Sequence, residues 1–274
     1  MSGKLYIVGT PIGNLDDFSV RGVKTLQAVT FIAAEDTRVT RKLCNHFDIS
    51  TPLVSYHEHN ERERKEEILS RLLQGEDCAL VSDAGMPCIS DPGEGLVALC
   101  AERGVEVLVV PGPCAAVTAL VVSGLATSRF RFEGFLSTTR KNRLERLASL
   151  KKETATIIFY EAPHKLLTTL QDLFQAFGNR RISLIKELTK FHENVNRTTL
   201  EKAVRWYAQN TPKGEFVLVV EGAQELQEEM TLQQAVEMAR DFMESGLRGT
   251  EAAKQAAALS GFRKAEIYKC LLKE

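Results

Sequence analysis

Three short loops hold the residues best suited to chemistry: Val8-Gly9-Thr10-Pro11-Ile12-Gly13-Asn14-Leu15, Ser82 to Gly93, and Val110-Pro111-Gly112-Pro113-Cys114-Ala115-Ala116. Glycine lets backbone close on a ligand, and proline fixes a loop so that less entropy is lost on binding. One such loop reads as an ordinary strand-to-helix turn. Three together, each longer than a turn requires, point to a ligand crevice at the C-terminal edge of an open α/β sheet. The first loop is not G-x-G-x-x-G, because Pro11 lies between Gly9 and Gly13, and no G-x-x-x-x-G-K-[ST] occurs in the chain. Dinucleotide and phosphate-loop readings weaken accordingly. A ligand with adenosine and amino-acid ends but no phosphate fits better, met by backbone groups and a carboxylate such as Asp83.

Other residues outside these loops could bind or react. Asp36 and Arg38 follow the second strand; they read either as a capped helix start or as a substrate contact leading into Arg38-Val39-Thr40-Arg41-Lys42. Residues 129–153 hold eight basic and three acidic side chains, a local balance of +5 in a chain of net charge −1. Such a run is commonly a solvated helix face, but Arg140, Lys141 and Arg143 are candidates for phosphate contacts. His57 and His59 lack companion ligands, so no metal is expected.

These residues need a frame. Short β-branched runs at Leu5 to Val8, Thr30 to Ala33, Leu53 to Tyr56, Cys78 to Val81 and Val105 to Val110 alternate with amphipathic stretches, which predicts a largely parallel sheet. Asn60 is placed to cap a helix with an apolar stripe of Ile68, Leu69, Leu72 and Leu73, ended by Gly75. A second, mixed sheet is expected from strands near Phe132 to Phe135, Thr156 to Tyr160, Arg181 to Lys186 and Phe216 to Val220. The fold class is α/β, with domains over 1–124 and 125–224 and a helical extension over 225–274. Within that extension, Ala252 to Leu272 looks like a helix-turn-helix, read as an accessory RNA or ribosome contact. At 274 residues and 44% hydrophobic, with no apolar run long enough to span a bilayer and six scattered cysteines, the chain reads as a cytoplasmic protein with reduced thiols.

The ordered set Pro11-Ile12-Gly13-Asn14-Leu15, Ala34-Glu35-Asp36-Thr37-Arg38, Ser82 to Gly93, Pro111 to Ala116, Phe159-Tyr160-Glu161 and Lys186-Glu187-Leu188-Thr189-Lys190 resembles the ribosomal RNA small subunit methyltransferase I family. The resemblance spans roughly residues 4 to 222 and places the chain in the tetrapyrrole methylase superfamily. It implies two α/β domains with S-adenosylmethionine in the cleft between them, 2'-O-methylation of a cytidine in the decoding region of 16S ribosomal RNA, and a homodimer acting on that RNA or on the small subunit. Carried over by motif, the cofactor contacts are Pro11, Ala84, Gly85, Met86, Ile89, Cys114 and Ala115, completed by Tyr160, Glu161, Leu188 and Thr189. Met86 stands where relatives that methylate tetrapyrroles have an acidic residue. The reaction this implies requires loss of a hydroxyl proton. Glu161, His164 and Asp36 are candidates to take it, and Lys186 and Glu187 are favoured. Two rival readings are methylation of a tetrapyrrole carbon and a DNA-binding regulator that senses a small ligand.

Overall fold

Apolar runs buried on both faces make the central strands of the first sheet. In the computed structural model, which describes residues 2–224 and 230–272, these strands are Leu5–Val8 (β1), Phe31–Ala34 (β2), Leu53–Ser55 (β3), Cys78–Val81 (β4) and Val107–Val110 (β5). They pair in the order β3-β2-β4-β1-β5, and every pairing is parallel. Side-chain alternation along a strand serves both faces. Leu5, Phe31, Ala33 and Leu80 pack toward helices Glu61–Leu73 (α3) and Glu94–Glu102 (α4). Val8, Ile32, Ala34 and Val81 pack toward Val20–Ala28 (α1) and Thr37–His46 (α2). Ser19 and Asp36 cap α1 and α2 through their side chains. Asn60 stands at the start of α3, but its side-chain amide oxygen accepts from the His57 N–H at 2.8 Å and caps no N–H of the helix.

The second sheet comprises Phe130–Phe135 (β6), Thr156–Glu161 (β7), Arg181–Lys186 (β8), Asn194–Thr199 (β9) and Phe216–Val220 (β10), in the order β6-β7-β10-β8-β9. Only β6 and β7 are parallel; β10 runs antiparallel to β7 and β8, and β8 to β9. The polar strand β9 was not expected. It is an edge strand with largely exposed residues, so it lacks the apolar signal of a buried one.

Helix Ala115–Ser123 (α5) starts at the last loop of the first sheet and packs on the second, where Ala116, Ala119 and Leu120 meet Ile158, Ile185, Val217 and Val219. Burying one leucine such as Leu120 contributes about 1.5–3 kcal/mol. The expected boundary at 124 thus leaves α5 on its N-terminal side, although its apolar face serves the second sheet. Helices Arg140–Ser149 (α6), Leu166–Phe177 (α7) and Leu200–Tyr207 (α8) cover the opposite face of that sheet.

Residues up to Ala223 form one compact unit, and those from Gln224 onward a second. The boundary expected at 224/225 touches residues 225–229, which lie outside the described residues. The second unit consists of Leu232–Glu244 (α9), Gly249–Ser260 (α10) and Lys264–Leu271 (α11), packed through Ala235, Ala239, Ala253, Ala256 and Ile267. Gly261, at φ 77°, makes the turn between α10 and α11. No helix of the described residues is long and apolar enough to cross a membrane.

Candidate active site

The three Gly/Pro loops are bonded into one floor. The Gly9 N–H donates to the Val110 carbonyl at 3.1 Å, and Thr10 and Gly85 exchange backbone hydrogen bonds at 2.9 and 3.1 Å. Gly9 and Gly112 are required by proximity: a Cβ on either would lie 2.8 Å from the other's Cα. Gly85 has φ 90°, a conformation that side chains disfavour. Non-glycine residues in the same left-handed region gather here too, with Cys88 and Ser90 in the second loop and Glu187 and Thr189 after β8. Each such residue costs of order 1–3 kcal/mol, which the surrounding structure must offset.

Above this floor the second sheet supplies a wall. The C-terminal ends of β6, β7 and β8 and the start of β10 share one edge, as their pairing directions require. Floor and wall enclose a cleft of about 440 Å³, a size suited to a small organic ligand. Ala84, Gly85, Met86, Ile89, Cys114, Ala115, Tyr160, Glu161 and Leu188, which the family motifs carry as cofactor contacts, line it. Ile12, Ser90, Asp91, Phe135, Ile185 and Glu215 line it as well and were not singled out as contacts. Among the described residues the lining holds no Lys, Arg or His.

The polar groups in the cleft divide into fixed and available. The Tyr160 hydroxyl oxygen accepts the Ala116 N–H at 3.0 Å, and its ring packs edge-on against Phe132 and Phe135. Burial pushes this phenol up to about 12, so it stays neutral. The Glu161 carboxylate is buried and accepts from the Ala162 N–H at 2.8 Å and from the Thr169 hydroxyl at 2.5 Å. Asp91 differs. Burial, followed by the negative field of Glu35, pushes its carboxyl up to about 7, and a Ser82 hydrogen bond offsets only part of that. A half-buried carboxyl near neutrality in a cleft is a functional-site signature. The Ser82 to Gly93 motif gives Asp91 no role of its own, because the burial and the Glu35 contact arise only from the fold.

Several expected residues lie elsewhere. Pro11 and Asp83 line a smaller hollow of about 260 Å³ beside α2. Asp83 accepts the Asp36 N–H at 3.0 Å and donates its own N–H to Glu35 at 3.2 Å, which ties the loops after β2 and β4 together. The Thr189 side chain lies where a Cβ on Gly13 would meet its Oγ1 at 2.9 Å, and it does not line the cleft.

Lys186 and Glu187, favoured for proton transfer, are not in the cleft either. Side chains alternate along β8, so Ile185 faces the cleft side with α5, and Lys186 shares the opposite face with Ile182 and Leu184. The Glu187 carboxylate accepts the Glu215 N–H at 2.8 Å and pairs with Lys190 at 3.1 Å; the first bond in particular holds it below the usual carboxylate range. That is a structural clasp for the chain entering β10.

Among the RNA candidates, Asp36 caps α2 and pairs with the exposed Arg38 at 2.6 Å, which lowers its carboxyl to about 2. Arg140 and Lys141 are exposed on α6. Arg143 departs from expectation: it is buried, bonded to Asp172 at 2.7 Å and to the Ser137 and Thr138 carbonyls at 3.0 and 3.2 Å. A guanidinium so enclosed ties α6 to α7 and has no free donor fork to offer RNA. Among the described residues, no group of three or more His, Cys, Asp or Glu could hold a metal ion.

Comparison with known proteins bears on this cleft. The Tetrapyrrole (Corrin/Porphyrin) Methylases family matches residues 4–204. The Ribosomal RNA small subunit methyltransferase I of Synechocystis sp. is 49% identical over 272 residues, covering 98% of each chain. The protein of that name from Thermotoga maritima is 48% identical over 220 residues, covering 80% of this chain and 99% of its own. Among solved structures, diphthine synthase superposes with a TM-score of 0.61 at 16% identity, covering 81% of this chain and 90% of that one. A uroporphyrin-III C-methyl transferase from Thermus thermophilus, complexed with S-adenyl homocysteine, superposes at 0.57 and 17% identity, covering 80% and 97%.

Proposed function

The chain belongs to the ribosomal RNA small subunit methyltransferase I family, within the tetrapyrrole methylases, and from that premise we propose that it uses S-adenosylmethionine to methylate the 2'-hydroxyl of a cytidine in the decoding region of 16S ribosomal RNA. The observation that carries this reading is the character of the cleft. Its lining is largely apolar, its ionisable groups include the carboxyls of Asp91, Glu161 and Glu215, and it has no basic side chain among the described residues. Such a site favours a cationic ligand with an apolar body over a phosphate-bearing one.

The residues fit the cofactor. Ala84, Gly85 and Met86 present backbone at close range, Cys114 and Ala115 open α5, and Tyr160 and Leu188 close the apolar side. When bound, S-adenosylmethionine supplies an electrophilic methyl group on a sulfonium. The chain's own residues align the hydroxyl and receive its proton, and alignment alone supplies much of the rate. Asp91 is the group we assign to receive that proton, because its carboxyl lies in the cleft and is poised at about 7.

The sign follows from the raised value. Ionised Asp91 accumulates as pH rises through about 7, so turnover climbs over that range and levels off above it. The same shift costs stability as pH rises from the ordinary carboxyl value of 3.8 toward about 7, because burial disfavours the charge. Asp91→Asn is expected to lose about 10²–10⁴ in turnover together with the rising limb. A mutant profile that keeps that limb removes Asp91 from the role.

The family reading is tested by labelled methyl transfer to unmethylated small ribosomal subunits, naked 16S RNA and a precorrin. Label is expected in RNA, at a linkage that resists alkali, as a 2'-O-methyl requires. Label in the precorrin alone, or in none, overturns the reading. We further assign the enzyme to the cytoplasm and to a homodimer. Sedimentation at assay concentration checks the dimer.

A further inference from the structure

Behind the cleft, past the end of β8, lies a second and larger hollow of about 640 Å³ that shares only Phe216 with the lining of the cleft. Two large aromatic side chains stand at it with little cover: Phe191 is 96% exposed and Trp206 58%. Lys186 and Lys213 line it, together with His192 and Asn210. Neither lysine is in an ion pair among the described residues, whereas the nearest carboxylates are engaged. Glu193 accepts the Thr189 N–H at 2.6 Å, and Glu187 and Glu215 share Lys190. The lining of this hollow thus sets the two ammonium groups of Lys186 and Lys213 against the one carboxylate of Glu193, a formal balance of +1.

Exposed aromatic planes, unpaired ammonium groups and side-chain amides are what single-stranded RNA needs: stacking for bases, cations for phosphates, and donors and acceptors for base edges. We propose that this hollow binds an unpaired nucleotide of the RNA substrate, flanking the one that is modified. Phe191 and Trp206 stack on bases, and Lys186 and Lys213 meet phosphates. The placement relative to the cleft supports this, because Phe216 lines both hollows and Lys186 directly follows Ile185 of the cleft wall. One RNA strand could thus occupy both. The proposal rests on the RNA reading above, and it also gives Lys186 a role that its distance from the cleft denies it in proton transfer.

Trp206 is the only tryptophan in the chain, so its emission reports on this hollow alone. The full-length protein is titrated with a single-stranded oligoribonucleotide of the decoding-region sequence, and tryptophan emission is followed beside methyl transfer and S-adenosylmethionine affinity. Quenching of Trp206 on binding is expected. Phe191→Ala and Trp206→Ala should each weaken RNA binding about tenfold, a typical loss for one base stack. Trp206→Phe restores most of that loss, and cofactor affinity is unchanged throughout. Lys186→Gln with Lys213→Gln should reduce the salt slope of binding by about one to two. Phe191 is exposed enough that its truncation leaves the fold intact, and an unchanged melting temperature verifies it. Quenching without methyl transfer to any RNA would sink the family reading and leave the hollow standing. Methyl transfer with unchanged Trp206 emission and undiminished RNA affinity in both alanine variants overturns the hollow. So does loss of RNA binding that tracks dissociation of the protein into monomers, which would make this face an interface between copies.

Discussion

Two regions of the second sheet offer themselves to RNA, and they differ in a way that net charge does not reveal. Residues 129–153 carry a formal +5 and residues 186–213 a formal +3, from six basic and three acidic side chains. In the first region much of that charge is spent inside the protein. Arg131 and Arg146 both bond Glu133, whose side chain is only 3% exposed, Arg131 also reaches Glu153, and Arg143 is buried against Asp172. In the second region Lys186 and Lys213 form no ion pair among the described residues and stand beside uncovered aromatic rings, although Lys186 lies near enough to Glu187 to help lower its carboxyl. A charge run is informative about a polyanion only after its internal pairs are subtracted.

Arg143 provides the largest test of that contrast. If it is a packing group, Arg143→Ala leaves the buried Asp172 carboxylate without its partner. Stability should then fall by about 3–5 kcal/mol in urea unfolding. Replacing both partners with apolar residues of similar volume should recover most of that loss. Binding of RNA per folded molecule should stay unchanged in either variant. A destabilisation within about 0.5 kcal/mol, the size of an ordinary surface change, together with weakened RNA binding, would erase the distinction between the two regions.

The same contrast shows what the sequence makes legible. Strands β4, β8 and β10 fall where the apolar runs put them, because a buried strand must be apolar on at least one face. The three loops are legible because close backbone approach leaves only glycine at Gly9 and Gly112. Polar β9 is invisible to that logic, and with it the rim of the second hollow. Placing Lys186 beside Glu187 in one motif made both look catalytic, yet strand parity separates Lys186 from the cleft, and Ile185, adjacent and apolar, is the inward residue. Glu187 and Thr189 take positive φ without being glycine, which residue type does not announce. Asp91 is hardest of all, since its character comes first from burial in the folded cleft and then from Glu35, on a loop contributed by another strand.

The smallest effect tests the surface charge that remains on α6. Arg140 and Lys141 are exposed, and Lys141 has only the distant Glu145 at 4.0 Å. Exposed charges in salt solution act weakly and over about a Debye length of 8–10 Å. Arg140→Glu with Lys141→Glu, leaving Arg143 untouched, is therefore expected to weaken RNA binding only about two- to threefold at physiological salt, and less as salt rises. Cofactor affinity and unfolding midpoint should not move. Fluorescence anisotropy of labelled RNA at two salt concentrations checks this against Phe191→Ala, whose loss comes from stacking and should persist at high salt. If the α6 reversal proves the larger of the two and the stacking variants are silent, RNA is held by diffuse charge over α6. If the order is as stated, a neutral ring at the edge of the sheet does more for RNA than two cations on a helix, because the ring offers a base a surface that water cannot replace.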